Sequence, residues 1–191
     1  MKKHLQILVT ALLFWTAFTN HANAQTCGAT STWLSINSPT TVNGVQVTRS
    51  FTGNTTTMLN DTDGDHCGGA LMTGSNNYIH LTPYYGNGSP NSSVTFTFTK
   101  DVNDIVFQVR GMHAGFYTPA ENITITTNAG GTVTTSDLFN CNLNKVGNTY
   151  TSTTPQTTNY PKGDAGIIKV SSTIPYTTLT ITHNGNTNNA G

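Results

Sequence analysis

Charge is what this sequence has least of: Lys and Arg number eight and Asp and Glu eight, together 8% of 191 residues, against roughly 25% in an ordinary soluble domain. Without clustered Lys and Arg there is no basic field to hold nucleic acid or an anionic membrane surface. Glutamate occurs once, as Glu121. The Gly-x-Ser-x-Gly elbow, the His-Glu-x-x-His helix and the phosphate-cradling glycine loop are all absent, so the chain is expected to be non-catalytic. A glycosidase pair built from Asp residues is the enzymatic alternative left open, because carboxylate separation is not readable from sequence.

Long apolar runs are equally scarce. The one such run, residues 5–18, follows Lys2 and Lys3 and gives way to Ala22-Asn23-Ala24, the three-part pattern of a secretory signal peptide. It is shorter than the roughly 20 residues that span a bilayer. The expected organisation is a helical signal peptide over 1–24 and a single domain over 25–191, with the mature chain secreted or held at the cell surface. Lipidation at Cys27 is disfavoured, since Thr26 and Ala24 stand where a small residue and a leucine are wanted. Removing the leader leaves six basic residues against eight acids, a slight negative excess.

Cysteine is sparse too. Cys27, Cys67 and Cys141 survive processing; in an oxidising compartment one disulfide and one leftover thiol are expected. Three pairings are open, and a Cys67–Cys141 bridge would constrain the unfolded chain most usefully, because it closes a long loop.

What is abundant is Thr, Asn, Ser and Gly, set between short apolar alternations. Val45, Val47, Arg49 and Phe51 alternate with Gln46, Thr48 and Ser50. Val94, Phe96 and Phe98 alternate with threonines, and Ile105, Phe107 and Val109 continue the rhythm. A period of two places apolar side chains on one face of a strand and hydroxyls on the other. Further strands are expected at residues 32–36, 78–82, 123–127, 132–135, 167–171 and 178–182. Turn signals separate them at Asn43-Gly44, 86–88, 128–131 and Asn184-Gly185, and 128–131 reads as the clearest hairpin. Low charge with low hydrophobicity is also a mark of disorder, but concentrated β-branched and aromatic residues can close a core. The expected fold is all-β: two antiparallel sheets packed as a jelly-roll-like sandwich.

The stretches VTFTFTKDVNDIVFQVR at 94–110, ENITITTNAGG at 121–131 and TLTITHNG at 178–185 resemble the β-sandwich modules near the amino termini of secreted Bacteroidota surface proteins. Those proteins often carry type IX secretion or gliding-motility-associated carboxy-terminal domains. The resemblance implies export, a surface location and an adhesion or structural role, and it brings no catalytic residues. It also implies neighbouring domains in a longer surface protein, of which this chain would be a truncated piece or a short relative.

Two constellations carry candidate chemistry. Asp61, Asp63 and Asp65 alternate in NDTDGDHC, residues 60–67, and alternate carboxylates in a tight loop can converge on calcium. An EF-hand would need Gly and Glu where His66 and Met72 stand, so the competing reading is a polar loop that caps its own turns. His66 beside Cys67 lacks the second Cys or His pair of a zinc site. Tyr84, Tyr85, Phe116 and Tyr117 lie in glycine-flanked loops, where rings can stack on sugar faces; the alternative is that they plug the ends of the sandwich. The expected partners are therefore a surface glycan or a host or neighbour-cell protein, with no nucleic acid, no membrane span and no cofactor other than calcium.

Overall fold

The computed structural model describes residues 39–53, 55–61, 76–81, 91–112, 114, 120–154 and 163–184; for 55–61 and 76–80 the backbone alone is described. Twelve strands occur among them: β1 (Thr40–Val42), β2 (Val45–Thr52), β3 (Thr55–Asp61), β4 (Asn76–Leu81), β5 (Asn91–Val102) and β6 (Ile105–Met112), followed by β7 (Asn122–Thr127), β8 (Val133–Cys141), β9 (Leu143–Val146), β10 (Thr149–Ser152), β11 (Asp164–Ser172) and β12 (Tyr176–Asn184). Seven form one sheet in the order β1-β2-β5-β12-β7-β10-β9, three form a second in the order β6-β11-β8, and β3 pairs with β4. All pairings are antiparallel. The two larger sheets pack face to face as the expected sandwich. The seven-stranded sheet runs open from β1 to β9, so the pairings described do not include a jelly-roll closure.

The core follows directly from the alternation. Val45, Val94, Phe98, Ile125, Leu179 and Ile181 point inward from the large sheet and meet Ile168, Val170 and Met112 from the small one. Tyr176 is 1% exposed and packs edge-on against Phe98, with ring centroids 6.2 Å apart at 66°. Burying side chains of this size contributes about 1.5–3 kcal/mol each, which is what holds the layers together. Arg49 shares the inward face of β2, where burial pulls its guanidinium below the usual arginine range.

One expectation needs correction here. Residues 128–131 do not close a hairpin, because β7 pairs with β10 and β12 whereas β8 pairs with β11. The turn carries the chain from one sheet to the other. Asn128 shapes it by accepting hydrogen bonds from the Thr177 and Thr178 amides at 3.0 and 2.9 Å. The Asn43-Gly44 turn is a hairpin between β1 and β2, with both residues at positive φ (50° and 74°), as a primed two-residue turn requires.

The expectation of a disulfide is the second to be corrected, and the Cys67 end of the expected Cys67–Cys141 bridge lies outside the described residues. No disulfide joins two described residues: Cys141 ends β8 as a half-cystine whose partner lies outside them, as do Cys27 and Cys67. The described sheets are joined by packing and hydrogen bonds.

From β5 onward the chain changes sheet at nearly every connection, which gives the sandwich two different ends. At one end the crossings are short: 103–104, 128–132 and 173–175. Asn103 accepts from the Ser172 amide at 2.8 Å, and Ser171 donates to Asp104 at 2.6 Å. That hydroxyl, together with Lys169 at 3.2 Å, holds the Asp104 carboxyl below its usual range against some desolvation. At the other end β6 and β10 finish and β5, β7 and β11 begin, which makes it the terminus of the longer connections 82–90, 113–121 and 153–163 and of the one-residue crossing at Asn142 from β8 to β9.

Between the layers, Tyr150 of β10 donates to Asp137 of β8 at 2.7 Å, while the Lys145 ammonium lies 5.8 Å from the centre of its ring and bonds the Thr135 carbonyl. Burial, reinforced by Asp137, pushes the Tyr150 phenol up to about 12. Unfolded, it would ionise at 10.0. Between those values the unfolded state holds fewer protons than the folded state, so stability falls as pH rises. Urea midpoints are expected to drop across this window by the equivalent of about 3 kcal/mol at most, and Tyr150→Phe is expected to flatten that drop.

Candidate functional site

The end that bears the long connections also gathers buried polar side chains. Ser92, Ser152, Asp164 and His183 are all at least 95% buried, and each costs free energy in a sandwich interior unless it is paired or used. Strand phase explains why they point inward: His183 follows Leu179 and Ile181 at steps of two, and Ser92 precedes Val94 in the same way. The ladder sets His183 opposite both Ser92 on β5 and Ile123 on β7. Residues facing across neighbouring strands have Cβ atoms roughly 4.5–5.5 Å apart.

His183 and Glu121 meet across this end, with Nε2 to Oε1 at 4.0 Å and side chains 7% and 17% exposed. Glu121 immediately precedes β7, and its carbonyl accepts from the Ser152 amide at 2.9 Å. From there the polar line continues to Asp164. Its Oδ2 accepts from Ser152 Oγ at 2.7 Å and from the Thr153 and Thr154 amides at 2.8 and 3.0 Å; its Oδ1 accepts none among the described residues. Asp164 thereby fastens the end of β10 to the start of β11, the two feet of residues 155–162. The Ala114 amide bonds the Thr154 carbonyl at 2.9 Å, bringing the exit of β6 to the same place.

Gly163 makes this convergence possible. Its φ is +63°, and a Cβ there would lie 2.7 Å from backbone atoms of Gly111 and Met112. The absent side chain lets β6 and β11 approach just where the carboxylate turns inward.

Tyr84, Tyr85, Phe116, Tyr117, Asp63, Asp65 and Cys67 lie outside the described residues. Asp61 ends β3 opposite Asn76, with only its backbone described. Asn91 and Asn122, which open the strands that follow these two aromatic segments in the sequence, both pair with Asn184. Asn184 also donates to the Asn122 side chain at 2.8 Å. Among the described residues, no group of three or more His, Cys, Asp or Glu stands close enough to hold a metal ion, and no helix is long and apolar enough to cross a membrane.

His183, Glu121, Ser92 and Asp164 did not stand out in the sequence. A polar residue in phase with the apolar set of its strand was the available signal, and it marks His183, Ser92 and Asp164 alike.

No protein-family model, curated protein or solved structure matches the chain.

Proposed function

We propose that this chain is an exported, non-catalytic β-sandwich module that works at the cell surface in adhesion or as a structural unit, engaging its partner through the end that carries the long connections. The observation that carries this reading is the line from His183 through Glu121 and Ser152 to Asp164. Ser92, Ser152, Asp164 and His183 are buried where β6 and β10 end and β5, β7 and β11 begin, while the opposite end is crossed by short turns. Rigid strands supporting an end of long connections is a common way to present a binding surface. The leader-like residues 1–24 support export, and the strand rhythm supports likeness to Bacteroidota surface modules.

Antibody labelling of intact cells expressing the full sequence tests the location. Label on unpermeabilised cells is expected, and label that appears only after permeabilisation would exclude a surface role.

A second reading is carbohydrate binding at the same end, with Tyr84, Tyr85, Phe116 and Tyr117 stacking on sugar and calcium at Asp61, Asp63 and Asp65 as organiser. The shared pairing of Asn91 and Asn122 with Asn184 favours it, because β5 and β7, the strands that follow the two aromatic segments in the sequence, flank β12. A glycan array with and without chelator, repeated on Tyr84→Ala and Tyr117→Ala, distinguishes the readings: binding lost in both variants supports the second, and no binding in any condition removes it.

A further inference from the structure

The outer face of the seven-stranded sheet is rich in hydroxyls, with amides along its rim at Asn91, Asn122, Asn144 and Asn184 and the exposed Val146 at its β9 edge. In the ladder, Ser50, Thr95, Thr180 and Thr126 stand side by side on four adjacent strands. One step along, Thr52, Ser93, Thr182, Thr124 and Thr149 form a rung of five. Adjacent hydroxyls are bonded to each other: Thr95 to Thr180 at 2.8 Å, Thr124 to Thr149 at 3.1 Å and Thr52 to Ser93 at 2.5 Å. No charged residue stands in either rung. Lys100 and Asp101 lie past the far end of this pattern on β5, whereas Lys169, Arg110 and Asp137 belong to the small sheet.

We propose that this face docks an uncharged polysaccharide chain. Each hydroxyl offers one donor and two acceptor positions, and pairing along a rung consumes only part of that capacity. What remains is the mixed donor and acceptor character that a sugar hydroxyl needs. Charge matching selects the occupant, because docking a neutral polymer here strips no ion of its water, whereas an anionic polymer finds no cation to compensate its own desolvation. Dimensions favour a polymer over a single sugar. Neighbouring strands lie about 4.8 Å apart, so five strands present a face roughly 19 Å wide, and successive rungs repeat every 6.6–6.8 Å or so. A net hydrogen bond changes affinity by about tenfold at most, so useful retention needs several contacts at once. The paired hydroxyls are already oriented, which lowers the entropy cost of each contact. This surface is the outer face of the sheet and adjoins the long-connection end at Asn91, Asn122 and Asn184, but neither proposal depends on the other.

Native gels containing neutral arabinoxylan, galactomannan or hydroxyethyl cellulose, with alginate as the anionic comparison, test this on the processed chain secreted from cells expressing the full sequence. Retardation by at least one neutral polymer and none by alginate is expected. The triple variant Thr95→Val, Thr124→Val, Thr180→Val keeps β-branched side chains on the strands while removing hydroxyls, and it should weaken retention by on the order of tenfold or more. Should it fail to fold, Thr180→Lys supplies the alternative, with retention expected to fall for neutral polymers and rise for alginate. Absence of retardation in every neutral gel, equal retardation by alginate, or undiminished retention by a folded variant would each overturn the proposal. So would sedimentation showing a dimer that the triple variant abolishes, since the occupant would then be a second copy of this chain.

Discussion

Asp164→Ala is expected to destabilise the fold by about 3 kcal/mol or more, seen as a lower urea midpoint with an unchanged slope. The carboxylate is fully buried, and its Oδ2 serves three donors, Ser152 Oγ and the amides of Thr153 and Thr154. Alanine leaves Ser152 Oγ and the Thr154 amide without this acceptor, while the Thr153 amide keeps the Asn142 carbonyl at 3.1 Å; each buried unsatisfied group costs about 1–3 kcal/mol before relaxation. Asp164→Asn retains one oxygen and nearly the same shape, so it is expected to lose roughly 1 kcal/mol, reflecting the weaker bond to a neutral acceptor. The contrast separates the hydrogen-bond role from simple space filling. Hydrogen exchange locates the loss: the Thr154 amide should exchange faster in Asp164→Ala, more so than the Thr153 amide that keeps the Asn142 carbonyl, while the amides of β5 and β12 keep their protection. Uniform loss of protection would mean that Asp164 supports the whole sandwich, not one end of it.

Gly163→Ala is expected to be nearly as damaging, at about 2–4 kcal/mol, for a different reason. An alanine at φ +63° carries strain of roughly 1–2 kcal/mol. Its Cβ would in addition lie 2.7 Å from both the Gly111 carbonyl carbon and the Met112 oxygen, backbone atoms that move only if β6 and β11 separate. Gly147 provides the control. It has nearly the same φ, +60°, but nothing stands within 4 Å of where a Cβ would go. Gly147→Ala should therefore show the strain alone, about 1–2 kcal/mol. Equal losses at the two positions would show that the close approach of β6 to β11 does not constrain residue 163.

Much of the architecture could be read from residues 45–51, 94–98, 105–109 and 178–182, where apolar and hydroxyl side chains alternate strictly enough to define both strand and inward face. Partner choice was not legible. Asn128-Ala129-Gly130-Gly131 has the composition of a hairpin turn, yet local turn chemistry says nothing about which sheet the next strand joins; that is decided by β8 pairing with β11, about 30 residues further along the chain. The short β9 and β10 were missed because Asn144, Lys145 and Thr151 break any apolar rhythm, and their hairpin rests on a turn with Gly147 at positive φ. The polar end was hidden for a related reason. Motif reading looks for reactive residues close in sequence, whereas Glu121, Asp164 and His183 come from three separate segments and meet only through the ladder. The acidic and aromatic motifs were visible as local clusters, and apart from the backbone of Asp61 they fall on residues outside those described.

The whole account depends on which way each side chain of a strand faces, and β12 shows this most plainly because it is central to the large sheet and pairs on both sides. The most direct measurement is an aspartate scan of residues 179–182, with each variant followed by urea denaturation. Leu179→Asp and Ile181→Asp would place an uncompensated charge between the layers and are expected to abolish cooperative folding or remove at least about 4 kcal/mol. Thr180→Asp and Thr182→Asp face water and are expected to cost about 1 kcal/mol or less. A saw-tooth of period two in that phase is the expected result. Equal losses at all four positions, or the larger losses at the threonines, would contradict the two-layer sandwich and every site built on it.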